Sequence, residues 1–110
     1  MGRIFSMTIR LTLSEIEAIQ KAFKHFFPKE DRLWIFGSRV DPTKKGGDID
    51  LFIETHLSDP QIINEVQLNF LIQLYHQIGL QKIDIVIYRL SCPTTSPIYD
   101  IARQEGIQLI

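Results

Sequence analysis

Two short segments constrain this chain more than any other part of it: DIDLFIE, over Asp48–Glu54, and KIDIVIY, over Lys82–Tyr88. The first alternates, with Asp48, Asp50 and Phe52 on one face and Ile49, Leu51 and Ile53 on the other. The second is rich in β-branched residues and also reads as a strand. A helix-length stretch separates them. Ser58 or Asp59 can cap it, Pro60 suits its first turn, Ile63, Val66, Phe70 and Leu74 form its core face, and Gly79 stops it. A helical crossover lets the two strands it joins run parallel in one sheet.

The remaining elements fit around this unit. LWIF, Leu33–Phe36, is a short apolar run ended by Gly37 and reads as a further strand. Before it, LSEIEAIQKAFKHFF reads as a helix. Ser14 and Glu17 have capping-box spacing, Ile16, Ile19, Phe23 and Phe26 share a face, and Pro28 ends it. A last helix starts near Ser96–Pro97 and reaches about Gln104, with Gly106 closing it. Met7–Leu11 adds an edge strand, and a short helix is expected between LWIF and DIDLFIE. The fold class is therefore α/β (α+β): a single domain over 1–110 with a mixed sheet packed by helices. Residues 1–6 read as an extension, with Met7 an alternative start.

Charge and composition exclude several classes of function. Twelve basic against thirteen acidic residues give a net charge of −1, unlike the strongly basic balance of a protein that lives on nucleic-acid backbone. Cys92 is the only cysteine, which excludes an intrachain disulfide and a multi-cysteine zinc site and fits a reducing, cytoplasmic setting. No apolar run approaches the roughly 20 residues that cross a bilayer, so no membrane association is expected.

The polar residues fall at particular strand ends. Gly37 and Ser38 follow the first strand, Asp48 and Asp50 open the second, and Asp84 lies near the start of the third. If strands one and two are antiparallel and two and three parallel, all five meet at one edge of the sheet. Asp48 and Asp50 point to the same face, and Asp84 completes a cluster of three carboxylates. Like charges this close repel unless cations neutralise them, and hard oxygen donors suit Mg²⁺. A glycine permits close backbone approach, and N–H groups opening a short helix hold phosphate. Carboxylates binding two metal ions opposite a phosphate cradle describe transfer chemistry on a nucleoside triphosphate. Aspartates also serve as turn residues and solvate strand ends, so Asp-x-Asp alone is a weak signal. Asp84 strengthens it, because a carboxylate inside an apolar strand is costly if buried unpaired.

These motifs resemble the minimal nucleotidyltransferases of the DNA polymerase β-like superfamily. Phe36-Gly37-Ser38-Arg39 and then Gly47-Asp48-Ile49-Asp50-Leu51, with nine residues between Ser38 and Asp48, look like that family's Gly-Ser loop and Asp-x-Asp signature. Ile83-Asp84-Ile85-Val86 resembles the strand with the third carboxylate, and Ile98–Leu109 looks like the closing helix. The resemblance implies that Gly37, Ser38 and Arg39 bind the nucleotide, with Arg39 pairing a carboxylate or steadying a phosphate. Asp48, Asp50 and Asp84 would be the catalytic and metal-binding residues. The reaction implied is transfer of a nucleoside monophosphate, AMP from ATP, to a hydroxyl with two Mg²⁺ ions. It further implies a small helical HEPN-type partner encoded adjacently. The chain would then be the antitoxin of a toxin–antitoxin pair, adenylylating a tyrosine of the toxin.

Three other readings stand beside it. In the first the chain is a non-catalytic subunit that masks a helical partner. In the second it acts on a small-molecule hydroxyl, and in the third its carboxylates hold a cation that only stabilises the fold. Elsewhere, His25 and His76 fall on amphipathic helices as surface or packing residues, and His56 stands apart. Cys92, beside Pro93, has no evident base. Lys44 and Lys45 read as solvated loop residues. Trp34 and the phenylalanines read as core, with Phe27 as the candidate for an exposed partner contact.

Overall fold

The computed structural model describes residues 11–36 and 49–110. The expected strand over Met7–Leu11 and the expected helix before DIDLFIE lie, apart from Leu11, outside the described residues, as does the 1–6 extension. In chain order the elements are α1 (Leu13–Phe26), β1 (Arg32–Phe36), β2 (Ile49–Thr55), α2 (Pro60–Ile78), β3 (Ile83–Arg89), α3 (Pro97–Glu105) and β4 (Ile107–Gln108). They build a four-stranded mixed sheet in the order β3-β2-β1-β4. This is the α+β architecture expected, with both strand pairings as reasoned: β1 runs antiparallel to β2, and β2 parallel to β3.

Alternation along the strands sorts side chains into two layers. Leu33, Ile35, Ile49, Leu51, Ile53 and Ile83 bury against Ile16, Ile19 and Phe23 of α1 and Phe70 and Leu74 of α2. On the other face Phe36 and Phe52 bury with Ala102 of α3, flanked by Trp34, Val86, Tyr88 and Tyr99. Arg103 fastens α3 to this face. Its Nε donates to Glu54 Oε2 at 2.7 Å, and its guanidinium lies 5.2 Å from the Phe52 ring centre and 4.9 Å from that of Tyr88. A planar, weakly hydrated cation suits that position between a carboxylate and two ring faces.

Helix ends follow their local chemistry, with one correction. The N-cap of α1 is Thr12, not Ser14. Thr12 Oγ1 accepts from Glu15 N at 3.1 Å, and Glu15 Oε1 accepts from Thr12 N at 3.0 Å. TLSEIE holds two overlapping boxes, and the flanking apolar residues choose between them. With Thr12 as cap, Leu11 and Ile16 take the staple positions, and both are buried in one core cluster. With Ser14 as cap the staple would need Leu13, which is half exposed. Phe27, preceding Pro28, is extended as its successor demands, and α1 stops there. Phe27 is no partner contact, because it is buried, stacked on Phe23 at 4.7 Å and edge-on to Phe70 at 5.6 Å. Asp59 caps α2 by accepting from Gln61 N at 2.9 Å, and Gly79 ends it at φ +85°.

The last helix keeps the bounds expected for it, from Pro97 to the residue before Gly106, but the closing helix that the resemblance implied over Ile98–Leu109 does not continue past that glycine. Helix α3 ends at Glu105, and β4 pairs with β1 through Gln108↔Trp34 and Ile107↔Ile35. The bend occurs at Gly106, where a Cβ would collide with Ala102 O, lie 2.9 Å from Ile35 O and 3.2 Å from Phe36 Cβ. Two of these obstacles are backbone and cannot rotate away. Gly106→Ala is therefore expected to cost about 2–3 kcal/mol of stability, read as a lower urea midpoint with unchanged slope. No described helix is long and apolar enough to cross a membrane.

Candidate functional site

Three strand termini converge at one end of the sheet. Phe36, the last residue of β1, is the Cα partner of Asp50 in β2, and Asp50 is in turn the partner of Asp84 in β3. Adjacent strands are about 4.8 Å apart, so the two aspartates stand side by side. They share the sheet face that carries Phe52, Val86 and α3, as the period-two alternation of each strand requires. Toward the middle of the sheet this face is closed by Phe52 and Tyr99, whose ring centres are 5.9 Å apart. At the terminus Asp50 is only partly covered and Asp84 is exposed.

That exposure corrects one expectation. Asp84 is not a carboxylate buried in an apolar strand, because among the described strands β3 is outermost and Asp84 is only its second residue. Desolvation therefore supplies no argument for a function of Asp84. Its juxtaposition with Asp50 does. Two carboxylates on neighbouring strands, facing the same way, one exposed and one partly covered, are the hard oxygen donors that suit a divalent cation.

The opposite end of the same strands shows what a structural carboxylate looks like. Asp31 and Thr55 are wholly buried there. Thr55 Oγ1 donates to Asp31 Oδ2 at 2.5 Å, while His56 N and His56 Nδ1 lie 2.9 and 2.8 Å from Oδ1. Because a carboxylate only accepts, Nδ1 carries the ring proton in this arrangement. Leu57 N donates back to Thr55 Oγ1 at 3.1 Å, closing the network. Asp31 is wholly buried and both of its oxygens are engaged by the chain's own donors. His56, which looked isolated in the sequence, belongs to this clamp. An aspartate in a turn before a strand and a Thr-His pair at the end of another give no local signal of their meeting.

Of the residues singled out for chemistry, Asp50 and Asp84 are described, and the fold brings them together. Gly37, Ser38, Arg39 and Asp48, with Lys44 and Lys45, lie outside the described residues. Among the described residues no group of three His, Cys, Asp or Glu side chains is placed to hold a metal ion. The third carboxylate of the expected cluster, Asp48, is not among them. His25, His76 and Cys92 are exposed.

Comparison with known protein families identifies the domain as a whole. Residues 16–106 match the family model described as the nucleotidyltransferase domain, a span running from the first turns of α1 to the glycine that closes α3. No curated protein matches the chain.

Proposed function

Because the chain belongs to the nucleotidyltransferase domain family, we propose that it moves AMP from ATP to a hydroxyl acceptor. The observation that carries this reading is the register pairing of Asp50 with Asp84 on one sheet face, beside the strand exit that leads into Gly37-Ser38. The donor set fits Mg²⁺, which prefers one or two carboxylates together with water and phosphate oxygens. Asp50 and Asp84, with Asp48, would hold two such ions. Bound there, they neutralise triphosphate charge and polarise the reacting phosphorus. Gly37 and Ser38 offer backbone N–H groups to the triphosphate, and Arg39 steadies a phosphate or pairs with a carboxylate. Asp84 accepts the acceptor's hydroxyl proton as that oxygen bonds to the α-phosphorus. The bond from the α-phosphorus to the bridging oxygen breaks, and pyrophosphate leaves.

The acceptor in this reading is a tyrosine of a small helical HEPN-type protein encoded next to the chain. The family resemblance of its motifs supports that choice, and it makes the chain the antitoxin of a cytoplasmic toxin–antitoxin pair. The test uses ATP labelled on the α-phosphorus, Mg²⁺, the purified chain and the adjacent helical protein. Label is expected on a tyrosine of that protein, none is expected from γ-labelled ATP, and chelation of the metal should abolish transfer. Neutralisation of the helical protein without any nucleotide would instead identify a masking subunit. Label on a small molecule such as an aminoglycoside, with none on protein, would move the acceptor to that class.

A further inference from the structure

Helix α2 differs from α1 in its charge. Its 19 residues include one carboxylate, Glu65, and one histidine, His76, and neither lysine nor arginine. The 14 residues of α1 include Glu15, Glu17, Lys21 and Lys24. A helix with one face on a sheet normally turns charged residues outward. Here Ile63, Phe70 and Leu74 bury inward, yet outward Leu68 is 58% and Ile72 46% exposed. Gln61, Glu65, Leu68, Ile72 and Tyr75 recur at alternating spacings of four and three, the seam by which two helices pack side by side. Depletion of charge around exposed aliphatic residues is also the composition of an interface centre, and Tyr75, half-buried against the core, borders it.

We propose that this seam is a homodimer contact, with α2 of one copy packed antiparallel on α2 of a second copy across a two-fold axis. The seam is self-complementary in that direction. An axis level with Phe70 sets Leu68 against Ile72 of the second copy, and by symmetry Ile72 against its Leu68. The same axis brings Glu65 to Tyr75 of the second copy and its neighbour His76, so the one carboxylate meets a phenol and an imidazole. A parallel arrangement would instead stack Glu65 on its own copy and repel. A partner with the usual density of helix charges would face them onto leucine and isoleucine. Asp50 and Asp84 lie on the other face of the sheet, so the contact leaves both strand ends open.

Sedimentation equilibrium on the full chain tests this without any nucleotide. The wild type is expected to dimerise with a Kd in the micromolar range, roughly 1–50 µM. Leu68→Glu with Ile72→Glu should give a monomer with an unchanged far-UV circular dichroism spectrum, since both positions are exposed. Leu68→Lys with Ile72→Glu in one chain sets opposite charges against each other at both crossing points. That variant should associate at least about tenfold more tightly than the doubly acidic one. A wild type monomeric at about 200 µM, well above the Kd expected of a micromolar contact, overturns the proposal. So does a dimer indifferent to the doubly acidic change, or a charge-paired variant no tighter than it.

Discussion

Asparagine at position 50 or 84 is expected to cut nucleotide transfer by about a thousandfold or more, ~4 kcal/mol at the transition state. The substitution keeps side-chain size and removes the anionic oxygen on which a hard cation depends. Because Asp84 is exposed, its change creates no buried unsatisfied group, and thermal unfolding of Asp84→Asn should move little. Glu54 provides the internal comparison. It lies on the same strand and face as Asp50, four residues on, and is engaged by Arg103 at 2.7 Å. Glu54→Gln should weaken the docking of α3 by about 1 kcal/mol and leave transfer within a few-fold of wild type. Excess Mg²⁺ distinguishes the two aspartates further. If Asp50 acts through metal affinity alone, high metal recovers part of the activity of Asp50→Asn. Asp84→Asn, which in the proposed reaction also loses the proton acceptor, should not respond. Wild-type rates in both variants would remove the carboxylate pair from the chemistry.

What the sequence disclosed about this arrangement depended on chain direction. A glycine at a strand exit, two aspartates at the next entrance and a crossover helix are sufficient to bring three strand ends together, and the register joins Phe36, Asp50 and Asp84 in one row. Features decided by contacts distant in the chain were less legible. Strand β4 has two residues and no periodicity of its own, and it exists because β1 offers a free edge to the segment after Gly106. The choice of Thr12 over Ser14 rested on which leucine the core could bury. Phe27 follows a helix, at a position often exposed, but the stack with Phe23 and the edge of Phe70 enclose it. Asp84 misled in the opposite sense, since an apolar strand suggested burial and an outer position in the sheet removed it. Asp31 was missed entirely. In the sequence it is one more turn aspartate, and its importance lies in Thr55 and His56, more than twenty residues away.

Asp31 also gives the largest expected effect on stability. It is fully buried, and its two oxygens take a hydroxyl, a backbone N–H and an imidazole N–H. Asp31→Ala removes three partners at once and strands the Thr55 hydroxyl, which is equally buried. A lost hydrogen bond to a charged acceptor costs about 1.5–3 kcal/mol, and leaving a buried donor unpaired adds to that. A total near 4 kcal/mol is expected, because half-exposed His56 can turn part of its own loss over to water. In a domain whose whole stability is about 5–15 kcal/mol, that is a large fraction, equivalent to a drop in Tm of roughly 15 °C or more. Asp31→Asn should lose about half as much, because its amide oxygen still serves His56 while its NH₂ confronts a hydroxyl already accepting from Leu57 N. A double-mutant cycle with Thr55→Val should show coupling of about 1–2 kcal/mol between the two buried groups. The clamp and the aspartate pair sit at opposite ends of β2, so the folded fraction of Asp31→Ala should transfer nucleotide at the wild-type rate. A melting temperature within about 3 °C of wild type would mean water replaces the carboxylate at little cost, and the clamp would not be what holds this end of the sheet.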